Sequence, residues 1–143
     1  MLEIQVPKPG TIQIGNLDEI QFHGTYLYVG SAMGSGGFKR VERHCKLNRH
    51  GEGKCHWHID YLLEAADLEK VWLIPTTEDL ECKLAMKLNE RLGDCVEGFG
   101  SSDCSCTSHL LRLGERKTDV IFQSIEDLGL DIQPFVFDPD WIV

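Results

Sequence analysis

This chain predicts an α/β fold: a small mixed, mainly antiparallel sheet flanked by helices. Three observations carry that expectation. Residues 2–6 (Leu-Glu-Ile-Gln-Val) and 11–15 (Thr-Ile-Gln-Ile-Gly) alternate apolar with polar side chains, the period of a half-buried strand. Apolar residues recur at helical spacing within 37–47 and again within 78–92. A chain of 143 residues, 42% hydrophobic, is enough for one core.

Pro7-Lys-Pro-Gly10 is a turn cluster, so 2–6 and 11–15 are expected to form a hairpin. Gly15-Asn-Leu-Asp18 marks a second turn. A short strand over 20–22 and a Thr-, Tyr- and Val-rich strand over 25–29 follow. Gly34-Ser-Gly-Gly37 then turns the chain into a helix running to about Leu47, with Phe38, Val41 and Cys45 on its apolar face. Residues 59–66 read as a short helix, and the apolar run at 71–74, ended by Pro75, as a buried strand near 70–74.

Thr77 caps the predicted helix 78–92, where Glu78 and Asp79 suit the positive end of the dipole. Residues 93–107 are loop, 109–113 a strand and 118–128 a helix. The remainder is an extended tail packed on the body. The organisation expected is a domain over 1–113 with 114–143 as a helix and tail on that same domain.

Composition narrows the function classes. No run of eighteen apolar residues exists, which excludes a membrane-spanning helix. Met1-Leu-Glu-Ile-Gln-Val carries neither a basic nor an apolar leader region, so a cytoplasmic protein is expected. Cysteines 45, 55, 82, 95, 104 and 106 then read as free thiols or metal ligands. The net charge of −9 is unevenly spread. Residues 38–58 hold six Lys/Arg against two acids, with four histidines, whereas residues 64–143 hold seven against seventeen. A basic face of this kind engages phosphate, with Lys39, Arg43 and Lys46 as its contacts, or is simply a solvated helix.

Several side chains stand out on chemical grounds. Glu81 falls on the core face of helix 78–92, and a buried carboxylate needs a cation, either a metal or an arginine at the rim. Arg40 and His44, four apart, share one flank of a helix. Tyr26 and Tyr28, two apart, share one face of a strand. In Asp103-Cys104-Ser-Cys106-Thr-Ser-His109, Cys104, Cys106 and His109 are candidate zinc ligands. Cys45, Cys55, His56 or Cys95 could complete that set. The alternative is a loop of small residues that only packs.

Tyr28-Val-Gly30, a glycine turn, Arg40 and His44 resemble the second half of the GIY-YIG nuclease signature. A closer resemblance is to a family of uncharacterised prokaryotic proteins akin to those nucleases. It rests on Tyr28-Val-Gly-Ser-Ala32, Arg40-Val-Glu-Arg-His44, Trp57-His-Ile-Asp-Tyr-Leu-Leu63, Glu81-Cys-Lys-Leu-Ala85 and Gly98-Phe-Gly-Ser-Ser-Asp-Cys-Ser-Cys-Thr-Ser-His-Leu110. The five motifs fall in order within residues 2–113.

The resemblance implies a GIY-YIG-like fold and a divalent-metal-dependent endonuclease acting on nucleic acid, DNA ahead of RNA. Glu81 would hold Mg²⁺ or Mn²⁺ and polarise the scissile phosphate. Arg40 would bind phosphate oxygens. Tyr28, with a lowered pKa or through His44, would help activate water. His58, beside Asp60, would be an oriented imidazole. The first half of the signature departs from the pattern: Met1-Leu-Glu-Ile4 has neither glycine nor tyrosine, leaving Tyr26 as substitute. The alternatives are a nucleic-acid-binding module that kept the fold without catalysis, or an acidic protein-interaction domain.

Overall fold

The computed structural model describes residues 1–33, 36–102, 104–114 and 117–143. Five strands form one sheet: β1 (Leu2–Gln13), β2 (Glu19–Tyr28), β3 (Asp67–Leu73), β4 (Leu110–Arg112) and β5 (Phe135–Phe137). Their order is β4-β2-β1-β3-β5, and every pairing is antiparallel. Among the described residues four α-helices accompany them: α1 (Lys39–His50), α2 (His58–Ala65), α3 (Glu81–Leu92) and α4 (Lys117–Asp127). Among the described residues no helix is long and apolar enough to cross a membrane.

The alternation of β2 divides the core. Tyr26 and Phe22 face Cys45 and Leu47 of α1 and Ile59, Leu62 and Leu63 of α2. Leu27 and Val29 face the other way, with Trp72, onto Leu84 and Leu88 of α3 and Ile121 and Ile125 of α4. The result is a sheet with helices on both faces. The tail joins it directly, since β5 pairs with β3 and Arg49 meets Asp140 at 2.8 Å.

Residues 2–6 and 11–15 do not pair with each other. The chain runs extended through Pro7-Lys-Pro-Gly10 as one strand, with a shift in register against β2 between Val6 and Gly10. Proline's fixed φ is compatible with extended backbone, and its missing N–H matters little at an irregularity. The hairpin instead closes at residues 14–18, where Leu17 N–H donates to Ile14 O at 2.8 Å. The expected strands at 20–22 and 25–29 are therefore one strand. Of the turn expected at 34–37, Gly34 and Ser35 lie outside the described residues.

Helix α3 begins at Glu81, three residues later than Thr77 predicted. Thr76 Oγ1 accepts from Glu78 N–H at 3.0 Å and Asp79 Oδ1 from Glu81 N–H at 3.4 Å. These side chains satisfy the backbone in turns before the helix starts, as short polar residues do. The shift puts Glu81 in the first helical turn, part-buried, one turn before buried Ala85.

Candidate active site and metal centre

Helices α1 and α3 cover opposite faces of the sheet, yet their N-terminal turns meet. Beyond the end of β2 lies a cleft of about 420 Å³, lined by Leu2, Tyr28, Arg40, His44, Trp57, Asp79, Glu81 and His109 among others. Tyr28, Arg40, His44 and Glu81, spread over 54 positions of sequence, share this one cavity.

Tyr28 is held by its neighbours. Its ring packs edge-on against Phe99 at 6.3 Å. A Cβ at Gly30 would lie 3.0 Å from one ring edge, and a Cβ at Gly100 would lie 3.4 Å from the other. Glycine at both positions is what lets the backbone approach the phenol so closely. Burial, with the charges of Glu81 and Asp60, pushes the phenol above its ordinary range. The lowered pKa expected for Tyr28 is therefore not what this environment gives: at neutral pH it is a hydrogen-bond donor, not a phenolate.

Arg40 donates to Ser31 O at 2.9 Å, and among the described residues no carboxylate lies within ion-pair distance of it. His44 is 6% exposed, and its Nδ1 is a buried nitrogen without a hydrogen-bond partner among the described residues, 3.7 Å from Asp60 Oδ1. Burial lowers its pKa to about 4, outweighing the pull of Asp60, so the imidazole is neutral at pH 7.

The other expected site residues are placed elsewhere. Tyr26 is fully buried; its hydroxyl accepts from His23 N–H at 2.9 Å and its ring packs on Phe22. It does not line the cleft. His58 Nδ1 accepts from Gly100 N–H at 2.9 Å and packs on Phe99, so it fastens the 98–110 loop. Asp60 orients Arg43 rather than His58: both carboxylate oxygens accept from Arg43 at 2.9 Å, and Oδ2 also accepts from His56 and Trp57 N–H. Burial opposes ionisation of Asp60, but these bonds together hold it below the usual carboxylate range. Arg43 is thus committed to the fold, and Lys46 pairs with Glu42 at 2.8 Å. Lys39 lies exposed near them, along a shallow depression outside the cleft.

A second constellation adjoins Glu81. Cys82, Cys104, Cys106 and His109 present ligand atoms within 4.8 Å of one another. The completing thiol is Cys82, not Cys45, Cys55, His56 or Cys95; Asp103 lies outside the described residues. The imidazole is already oriented. Nδ1 is 3.0 Å from both Val29 O and Glu81 Oε1. Both are acceptors, so Nδ1 carries the proton, and Nε2 faces Cys104 Sγ at 3.2 Å and Cys82 Sγ at 3.9 Å. A backbone carbonyl and a carboxylate behind a ligating histidine is the usual second layer of a metal site. Three thiols and an imidazole could hold a metal ion and fit zinc better than Mg²⁺ or Mn²⁺, which take oxygen ligands.

The charges respond to this crowding. The hydrogen bond to Glu81 pushes His109 up to about 10 against its burial, helped by Cys104, Val29 and Cys106. Cys82 is pushed up to about 12 by its bond with Cys106, then by burial and Cys104. Burial would raise Cys104 too, but bonds from Cys106, His109 and Cys82 bring it below the ordinary thiol range.

The chain belongs to the family described as domain of unknown function DUF123, whose model matches residues 1–130. No curated protein and no solved structure matches it.

Proposed function

We propose that this protein is a nucleic-acid phosphodiesterase of the GIY-YIG-like kind, acting on DNA ahead of RNA, with its reaction centred on the cleft beyond β2. The observation that supports this most is the meeting of Tyr28, Arg40, His44 and Glu81 in that cleft, with Arg40 free of any carboxylate among the described residues. An unpaired guanidinium at the wall of a cavity is a ready partner for a phosphate. Neutral His44 accepts a hydrogen bond from the attacking water, and the Tyr28 hydroxyl donates to a phosphate oxygen. A divalent ion, Mg²⁺ or Mn²⁺, held by Glu81 with Asp79 near it would supply Lewis-acid stabilisation of the leaving oxygen. Zinc in the cluster of Cys82, Cys104, Cys106 and His109 would hold the 98–110 loop against α3 and fix Glu81 through His109.

The test is cleavage of single-stranded, duplex and branched DNA with Mg²⁺ or Mn²⁺ by the zinc-loaded protein. Wild type should cut at least one of these, and Arg40→Ala should lose about 10²–10³-fold in rate, as removal of a transition-state donor does. Absence of cutting on all of them defeats the catalytic reading.

A second reading is a zinc-stabilised nucleic-acid-binding module without catalysis. Two observations favour it. Glu81 Oε1 is engaged by His109, and the β1 residue opposite Tyr28 is the aliphatic Leu2. Under this reading DNA binding depends on Arg40 but no divalent ion yields product.

A further inference from the structure

Trp57 is an exposed indole in the wall of the cleft, 46% accessible, on a backbone that cannot easily move. It sits at the N-cap of α2, where its N–H donates to Asp60 Oδ2 at 3.0 Å. Asp60 is itself fully buried and clamped by Arg43. The guanidinium carbons of Arg40 and Arg43 lie over the indole ring, 5.2 and 4.8 Å from its centroid. His44 and His56 approach edge-on at 6.4 Å. The part of the indole that the guanidiniums leave uncovered is thus open to solvent beside Arg40, a cleft cation with no carboxylate partner among the described residues, and the Arg43–Asp60 ion pair holds it there.

We infer that Trp57 is a stacking platform for one unpaired nucleobase adjoining the phosphate bound by Arg40, so that the preferred ligand is single-stranded or locally opened nucleic acid. This rests on the nucleic-acid reading of the cleft and names its ligand. Stacking needs a free base face, which a paired base within a duplex lacks because its neighbours occupy both faces. The span from Arg40 to the indole is within the reach of one nucleotide. The Arg40 guanidinium beside the ring favours an anionic ligand over an apolar peptide at the same spot. A rigid, pre-placed ring gives up little entropy on binding.

Binding of an oligothymidylate and of a blunt duplex of equal length tests this, by fluorescence anisotropy and by quenching of tryptophan emission at low salt without divalent ions. Wild type should prefer the single strand and be quenched by it. Trp57→Ala should bind the single strand about tenfold to a hundredfold more weakly, with little change on duplex and with the quench reduced. Trp57→Phe should recover most of the loss. Trp57→Leu, which keeps apolar bulk and the fold but has no π face, should not. Equal single-strand affinity for wild type and the Leu variant overturns the inference, as does equal weakening on both ligands. If wild type binds and is quenched but never cuts, cleavage fails while the platform stands. If it cuts and the Trp57 variants behave as wild type, the platform fails alone.

Discussion

Arg40 and Arg43 lie three residues apart on α1 and do different things because of what each one meets. Arg43 neutralises fully buried Asp60, whereas among the described residues Arg40 meets a carbonyl and an indole and no carboxylate. Spacing along the sequence could not separate them; a partner seventeen residues away decides. Arg43→Met should therefore destabilise by about 3 kcal/mol, at the low end for a stranded buried charge because Asp60 keeps two backbone bonds. Arg40→Met should change stability by well under 1 kcal/mol; urea melts compare the two.

His44 gives a pH signature. Its imidazole stays neutral in the fold down to about pH 4 but charges near 6.5 in the unfolded chain, so the unfolded state binds more protons in that window. Stability should rise by about 3 kcal/mol between pH 4 and 6.5 from this residue, with burial of His58 adding in the same direction. The rise should be smaller in His44→Gln, by denaturant titration across that range. Glu81→Gln keeps an acceptor for His109 but removes the negative charge. Product formation should fall by orders of magnitude with little loss of stability, and zinc affinity about tenfold to a hundredfold; a large melting loss with normal cutting would mean that Glu81 is structural.

At the scale of elements, the sequence was legible wherever periodicity ran long. All four helices and the strands at 2–6, 25–29 and 70–74 stand close to where apolar spacing put them. It misled where turn chemistry competed with the chain's path. Prolines at 7 and 9 read as a turn but sit in a strand, and Thr76 with Asp79 delayed α3 past Thr77. The first turn of α3 carries Cys82 beside the 98–110 loop. Its only sequence signal was adjacency to Glu81, and irregular cysteine spacing cannot show which helix end a loop will fold against. The loop is fastened by few backbone bonds, among them Gly98 N–H to Thr107 O and His109 N–H to Phe99 O. Cys82→Ser, or a strong chelator on wild type, should therefore release one zinc and lower the melting temperature, read by elemental analysis and calorimetry. A purified protein with no stoichiometric metal, and no response to chelator, would remove the metal centre.

For the whole molecule, charge distribution decides how a nucleic acid can approach. The chain carries −9 overall, so any polyanion must meet it over the short basic segment. The structure narrows that segment further than composition did. Lys46 is paired with Glu42, and Arg43 with Asp60, leaving Arg40 in the cleft and Lys39 outside it as α1 cations without an ion-pair partner among the described residues. Only a few phosphates, about two or three, can then be neutralised. The slope of log affinity against log salt should be shallow, about −2 on single strands. Lys39→Ala should reduce it by about 0.7, whereas Lys46→Ala should leave it nearly unchanged, because that ammonium already has its counter-charge. Anisotropy titrations between low and physiological salt measure all three. A slope several times steeper would mean that the strand lies along a surface other than this cleft, and the placement of Arg40 at its centre would have to be given up.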